Sequence, residues 1–123
     1  MKYHSKKVVK DGKTFDSKKE YRRYCELSML EKAGIITDLK TQVPFELVPA
    51  HYEFFERYGK SGNRIADGSR CIERAVVYRA DFVYKQNGER VVEDTKSPAT
   101  RTKDYIIKRK LMLHVHNIKI KEV

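Results

Sequence analysis

The amino-acid sequence predicts an α/β fold within a single domain, and three observations support this class. The chain has 123 residues, a length that is typical of one domain. Two segments carry apolar residues at helical spacing, and the segments between them are rich in residues that favour strands. An Asn87-Gly88 pair separates two of these segments, which is a strong signal for a two-residue hairpin turn.

Composition and charge exclude several classes of protein. Hydrophobic residues make up 40% of the chain and charged residues 36%, which is typical of a folded, water-soluble protein. No apolar run reaches the ~18 residues of a membrane span, and the N-terminus lacks an apolar signal sequence. The formal net charge of +10 suggests a polyanionic partner, most often nucleic acid. Cys25 and Cys71 lack the spacing of a zinc ribbon. We interpret them as partly buried thiols in a reducing cytoplasm, with a single disulfide as the alternative.

The first helix is predicted over residues 17–33. Ser17 and Glu20 match a capping box at its start, and Gly34 matches the residue that follows a helix end. The apolar positions at helical spacing within it are Tyr21, Tyr24, Cys25, Leu27 and Leu30. These residues are expected to form the buried face of the helix.

Three segments are less regular. Residues 1–15 are predicted to form a basic hairpin or arm around an Asp-Gly turn at 11–12. Residues 35–48 are predicted to form a strand that is broken or bent near Pro44. Residues 50–75 are predicted to be an inserted loop, and two interpretations remain open: an arm that contacts DNA, or a solvated insertion.

The rest of the chain is predicted to contain a hairpin, a second helix and a last strand. The hairpin strands are placed at 76–86 and 89–96, and the helix at about 99–115. The last strand is placed at Ile118–Lys121, where apolar and basic residues alternate. The apolar stripe predicted for the second helix consists of Ile107, Leu111 and Val115.

The hairpin register brings two carboxylates together. If Gln86 faces Glu89 across the turn, then Asp81 faces Asp94 on the same side of the sheet. Facing carboxylates repel each other, and Lys96 lies two residues further along the same face. A divalent cation with oxygen ligands would supply the remaining counter-charge.

Two interpretations of this cluster remain open. A carboxylate pair with a nearby lysine in a strongly basic chain favours metal-assisted attack on a phosphodiester. The alternative is a cluster of salt bridges in which Arg79 and Lys96 neutralise the two aspartates on a solvated face. Glu20 is a third candidate because its side chain borders the apolar face of the first helix, but from the residues alone a capping role is the favoured interpretation.

Other charged residues are assigned from their positions. Glu93 is predicted to point to the opposite face of the sheet from Asp94 and to be structural. Exposed basic residues on the two helices could contact phosphates, although a solvated surface is the default interpretation. The candidate nucleic-acid-binding residues are Lys18, Lys19, Arg22, Lys103 and Lys110.

Asp81 followed by Glu93-Asp94-Thr95-Lys96 resembles the signature of the PD-(D/E)XK nuclease superfamily. The order of elements resembles the αβββαβ core of that superfamily, which implies a restriction-endonuclease-like fold with a small mixed sheet flanked by helices. Two long runs, KYHSKK…DGKTFDSKKEYRRYCELSMLEKAGIITDL and YRADFVYKQNGERVVEDTK…YIIKRKLM, resemble small phage and prophage proteins. Those proteins are grouped with Holliday junction resolvases of the RecU type.

The resemblance implies a role for each matching residue. Asp81 and Asp94 would bind Mg²⁺, together with the carbonyl group of Thr95. Lys96 would orient the attacking water and stabilise charge on the phosphate. Glu20, as a further catalytic residue, would either complete the metal site or bind a water molecule next to it.

The resemblance also implies a function. The expected activity is that of a Mg²⁺-dependent DNA endonuclease, with Mn²⁺ as a substitute, which cuts branched DNA during phage recombination or packaging. The expected assembly is a homodimer, and the expected location is the cytoplasm of the bacterial host. The alternative is a non-catalytic DNA-binding protein on the same fold, which would bind DNA with a steep salt dependence but would not cut it.

Overall fold

The protein has a mixed α/β fold in a computed structural model that describes residues 7–10 and 12–123. In chain order the strands are β1 (Val8–Lys10), β2 (Lys13–Phe15), β3 (Thr37–Val48), β4 (His51–Tyr58), β5 (Arg64–Glu73), β6 (Val76–Gln86), β7 (Glu89–Asp94) and β8 (Lys121–Glu122). The helices are α1 (Lys18–Lys32) and α2 (Lys103–His116). No helix of the described residues is long and apolar enough to cross a membrane.

The central sheet has four strands in the order β3-β6-β7-β8. The β3–β6 and β6–β7 pairs are antiparallel, and β8 runs parallel to β7. The prediction of an α/β fold with a small mixed sheet and two helices is therefore confirmed. Each helix packs into its own apolar cluster, and the sheet contributes side chains to both clusters.

The first helix follows its predicted caps. The side-chain oxygen of Ser17 accepts a hydrogen bond from the backbone N–H of Glu20 at 3.1 Å, as an N-cap residue does. The chain leaves the helix through Gly34, whose φ of 76° lies in the left-handed region that glycine tolerates. Leu27 is buried at the centre of the helix. These features confirm the predicted helix to within a residue at each end.

The hairpin of β6 and β7 has the predicted register. Asn87 and Gly88 both have positive φ, of 54° and 78°, as a type I′ turn requires. The strand pairs run from Gln86 opposite Glu89 to Phe82 opposite Glu93. Strand β7 ends two residues earlier than predicted, so Thr95 and Lys96 follow the strand instead of belonging to it.

Strand β3 differs from the prediction because it continues through Pro44, which pairs with Arg79 without a break. Since β3 is an edge strand of this sheet, proline can lie in it without removing a needed donor. Two residues of β3, Asp38 and Gln42, adopt left-handed φ values of 56° and 53°. The pairing with β6 shifts register between Thr37 and Lys40 and again between Glu46 and Val48.

The second helix and the last strand begin later than predicted. Thr102 is the N-cap of α2, and its side-chain oxygen accepts from the backbone N–H of Tyr105. The buried face consists of Tyr105 and Met112, whereas Ile107 is 57% exposed. Val115 of the predicted stripe is also exposed, whereas Leu111 is partly buried and packs against the core. The predicted apolar stripe is therefore wrong for Ile107 and Val115. The segment before β8 packs its isoleucines into the core without pairing as a strand.

The loop predicted for 50–75 is wrong, because β4 and β5 form a two-stranded antiparallel ribbon. The turn of the ribbon spans Gly59 to Asn63, where the backbone N–H of Gly59 donates to the carbonyl of Asn63 at 2.8 Å. All ribbon strand residues except Gly68 are exposed, on both faces. Because neither face is buried, apolar and polar residues do not alternate, and the sequence lacks the usual strand pattern.

The N-terminal hairpin is confirmed where the structure describes it, with Val8 opposite Phe15 in the β1–β2 pair. Residues 1–6 and Asp11, which belong to the predicted arm and its turn, lie outside the described residues. Both cysteines are free thiols. Cys25 is partly buried as expected, but Cys71 is exposed on the ribbon, so the expectation of partial burial is wrong for it.

A buried ion pair joins α1 to the sheet. Glu93 has no exposed side-chain surface, and it accepts two hydrogen bonds from Arg23, at 2.8 and 2.7 Å. The hydroxyl group of Tyr84 donates to the same carboxylate. Glu93 therefore holds α1 against the sheet and lies away from Asp94, as the structural interpretation of this residue expected.

The Arg23→Leu variant should be less stable than the wild type by about 3 kcal/mol, because it leaves the buried Glu93 carboxylate without its cation. Arg22→Leu is the matched control, since Arg22 is the exposed neighbour on the same helix. Urea-induced unfolding measures both variants. Equal losses in the two variants would contradict the structural role of the Arg23–Glu93 pair.

Candidate active site

The predicted catalytic residues border a cleft and an adjoining groove, where the first turn of α1, strand β6 and the segment after β7 meet. The cleft has a volume of about 140 Å³, and its walls include Glu20, Asp81 and Lys96. A wider groove of about 530 Å³ shares Asp81 and Lys96 with it and adds Asp94 and Tyr78. The structure therefore brings Glu20, Asp81, Asp94 and Lys96 together, while their catalytic roles stay a prediction.

Asp81 is held by the residue that follows β7. One carboxylate oxygen, Oδ2, accepts from the backbone N–H of Thr95 at 2.9 Å and from the Thr95 hydroxyl at 2.7 Å. The other oxygen, Oδ1, lies 3.5 Å from the side-chain nitrogen of Gln42. These contacts fix one edge of the carboxylate and turn the other edge towards Gln42.

Asp94 is buried beside Asp81, with only 2% of its surface exposed. Its Oδ2 accepts from the hydroxyl of Tyr78 at 2.9 Å and lies 3.1 Å from Nζ of Lys96. Burial, followed by the hydrogen bond and the charge of Asp81, raises the pKa of Asp94 to about 8. The donors around it only partly offset these effects.

Glu20 combines a capping position with a place in the cleft. Its backbone N–H donates to Ser17, while its Oε2 accepts from the backbone N–H of Asp16 at 3.0 Å. Its Oε1 accepts from Gln42 at 3.0 Å. Burial and the nearby charge of Asp81 raise the pKa of Glu20 to about 7. The carboxylate is thus both part of the helix start and a wall of the cleft.

Lys96 is held on three sides. Its ammonium group lies 3.1 Å from Asp94 and 4.3 Å from the ring centroid of Tyr105, a cation–π distance. Its backbone carbonyl accepts from Nζ of Lys19 at 2.7 Å. Only 15% of the Lys96 side chain is exposed. This arrangement places one lysine cation beside the two aspartates.

The basic residues predicted to bind nucleic acid are divided between two regions. Lys18, Lys19 and Arg22 are exposed on the first turns of α1, and Lys19 lines the cleft itself. Lys103 is exposed at the start of α2, next to residues that line the wider groove. Lys110 lies instead in a separate groove between α2 and the last strand.

Sequence reasoning missed three groups of the site. The side chain of Gln42 contacts both Glu20 and Asp81, and Tyr78 donates to Asp94. The third group is the hydroxyl of Thr95, which donates to Asp81, whereas the resemblance implied a role only for the Thr95 carbonyl. Pairing of β3 with β6 would have placed Gln42 opposite Asp81. The sequence does not fix the register of this pair, because no short turn joins the two strands.

The cation chemistry of the site rests on its oxygen atoms. Within residues 7–10 and 12–123, no group of three or more His, Cys, Asp or Glu side chains forms a ready-made metal site. The available donors are nevertheless of the type that Mg²⁺ prefers, because they are carboxylate oxygens. Two of these carboxyl groups, Glu20 and Asp94, have raised pKa values, so each binds a proton more tightly than an ordinary carboxyl group does. A bound cation could take the place of these protons.

A family model covers residues 1–123 and is described as a protein of unknown function, DUF1064. The chain belongs to the DUF1064 family. No curated protein and no solved structure matches the chain. The description of DUF1064 assigns no activity, so the geometry of the cleft carries the functional argument for this member.

The stability of the cation-free protein should fall as the pH rises from about 5 to about 8. Glu20 and Asp94 bind protons more tightly in the folded chain than in the unfolded chain, because folding raises both pKa values. At ~1.4 kcal/mol per pKa unit, the free energy of unfolding in urea should drop by roughly 6 kcal/mol over this range.

Asp94→Asn should remove about half of this drop, because an amide does not titrate. Asp38→Asn is the matched control and should keep the full drop, since Asp38 is exposed and pairs with Lys85 outside the cleft. Stability that stays constant or rises with pH in the wild type would contradict the raised pKa values.

Proposed function

We propose that this protein is a Mg²⁺-dependent DNA endonuclease of the PD-(D/E)XK superfamily, which hydrolyses phosphodiester bonds in branched DNA. The observation that carries the proposal is the arrangement of Asp81, Asp94 and Lys96, which all line the wider groove. The Lys96 ammonium lies 3.1 Å from Asp94, and Thr95 holds Asp81 beside Asp94. Such a set can bind a cation and also place a positive charge against a phosphate.

The topology supports the same proposal. Apart from the N-terminal hairpin and the β4–β5 ribbon, the elements follow the order helix, three strands, helix, strand. The three strands form an antiparallel unit, and the last strand adds in parallel. Asp81 lies on the second strand of this unit and Asp94 ends the third. This order of elements and these two positions support the proposal of a nuclease-like αβββαβ core.

The donor set fits Mg²⁺ by its chemistry. Asp81, Asp94 and the carbonyl of Thr95 would hold the ion, and Glu20 would add a carboxylate from α1. The ion would polarise the scissile phosphate and lower the pKa of a bound water. Mn²⁺ takes similar oxygen ligands and is expected to substitute.

The chain's own residues would bind and orient the substrate. Lys96 would stabilise charge that develops on the phosphate, because Asp94 and the Tyr105 ring hold its ammonium at the cleft. Lys19 lines the same cleft, and with Lys18 and Arg22 it forms a basic start to α1 that can neutralise neighbouring phosphates.

Branched DNA is the substrate that the resemblance to RecU-type resolvases supports. Two symmetric cuts in a four-way junction need two active sites, so we expect a homodimer to act, encoded by a phage or prophage, in the cytoplasm of its host.

The β4–β5 ribbon contributes nothing to the surplus of positive charge. Its basic residues are Arg57, Lys60, Arg64 and Arg70, and its acidic residues are Glu53, Glu56, Asp67 and Glu73. The phosphate contacts are therefore assigned to the basic start of α1.

Cleavage of a labelled four-way junction should require Mg²⁺ or Mn²⁺ and should exceed cleavage of a linear duplex of matched sequence. Asp94→Asn and Lys96→Ala should each lower the rate by about 100-fold or more, because each removes a group that stabilises the transition state. Asp38→Asn is the matched control and should cleave like the wild type, since its carboxylate lies outside the cleft.

Each other outcome has a defined meaning. Equal cleavage of junction and duplex would keep the nuclease and reject the preference for branched DNA. Tight, salt-sensitive binding without cleavage in either metal would reject the nuclease in favour of a non-catalytic DNA-binding protein. Cleavage that survives both substitutions would reject this cleft as the active site.

A further inference from the structure

Gln42 lies opposite Asp81 at an interruption of the ladder between β3 and β6. Thr41 pairs with Phe82 and Val43 pairs with Ala80, but the residue between them has a φ of 53°. This left-handed conformation is uncommon for residues other than glycine, asparagine and aspartate. The Gln42 side chain lines the wider groove, where it contacts the carboxylates of Glu20 and Asp81.

The amide nitrogen of Gln42 bridges Glu20 and Asp81, lying 3.0 Å from Oε1 of the former and 3.5 Å from Oδ1 of the latter. The second oxygen of each carboxylate is held elsewhere. Glu20 Oε2 accepts from the backbone of Asp16, and Asp81 Oδ2 accepts from Thr95. The bridging amide therefore contacts the remaining oxygen of each carboxylate, Oε1 of Glu20 and Oδ1 of Asp81.

A cation shared by Glu20 and Asp81 would need these same two oxygens. The N–H groups of an amide carry partial positive charge, so they can stand between two carboxylates where an ion would otherwise lie. A half-turn about the last side-chain bond exchanges the amide nitrogen and oxygen. The carbonyl oxygen of glutamine is itself a ligand for hard divalent cations.

We propose that Gln42 is a residue of the cation site. Its N–H groups hold Glu20 and Asp81 in position while the cation is absent, and its carbonyl oxygen turns towards the cation when one binds. This inference rests on the proposed function, because it takes the ion to be the Mg²⁺ or Mn²⁺ of the nuclease. It adds a ligand from β3 that the aspartate, glutamate and lysine signature does not contain.

Isothermal titration with Mn²⁺, without DNA, tests the proposal on the full chain. Gln42→Leu should bind Mn²⁺ at least about tenfold more weakly than the wild type, because it removes the oxygen. Gln42→Glu should bind at least as tightly as the wild type, since it offers a carboxylate oxygen at the same place. Gln86→Leu is the matched control at the hairpin end of β6 and should bind like the wild type.

The outcomes separate this inference from the proposed function. Wild-type affinity in Gln42→Leu, or equal weakening in Gln42→Leu and Gln42→Glu, would overturn the role of Gln42 alone. A wild type that binds no Mn²⁺ would reject the cation site of the proposed nuclease as well.

A second measurement uses the wild-type protein and so does not depend on the folding of a variant. The side-chain amide NMR signals of Gln42 should shift on saturation with Mg²⁺. Unchanged signals in a protein that binds the ion would overturn the proposal.

Discussion

The rest of the site depends on the close approach of two carboxylates across the β6–β7 hairpin. The two-residue turn fixes the register as far as Phe82 opposite Glu93, and the following position brings Asp81 and Asp94 together. Burial and the neighbouring aspartate raise the pKa of Asp94 to about 8. Hydrogen-bond donors or positive charges must therefore surround Asp81 and Asp94. Without them, repulsion between the two carboxylates would destabilise the folded state.

Each element around the cleft supplies one of these groups. The segment after β7 contributes Thr95, which donates twice to Asp81, and the Lys96 ammonium. Strand β6 contributes Tyr78, and the edge strand β3 contributes Gln42 through its left-handed backbone. Every buried side-chain nitrogen and oxygen in the described part of the chain has a partner. The cleft is therefore satisfied without a cation, and under the proposed function an ion would replace the protons and amide donors that now hold its carboxylates.

The sequence predicted the features that short-range rules determine. The cap at Ser17 and the hairpin register depend on a few neighbouring residues, and both were confirmed. The errors arose where tertiary packing decides. The buried face of α2 is set by what the sheet offers, so Tyr105 is buried while the equally apolar Ile107 is not. The β4–β5 ribbon buries neither face, so its sequence lacks the usual strand pattern. The left-handed backbone of Gln42 was also not predicted, because no pattern of residues around it indicates that conformation.

The central claim is that these carboxylates form a cation site, and anomalous scattering from a crystal soaked in Mn²⁺ tests it most directly. Mn²⁺ accepts the same oxygen ligands as Mg²⁺ and can be located without ambiguity by its anomalous signal. The account predicts a peak in the cleft within bonding distance of Asp81 and Asp94. A crystal that binds Mn²⁺ only elsewhere, or a cleft that stays empty at saturating Mn²⁺, would contradict it.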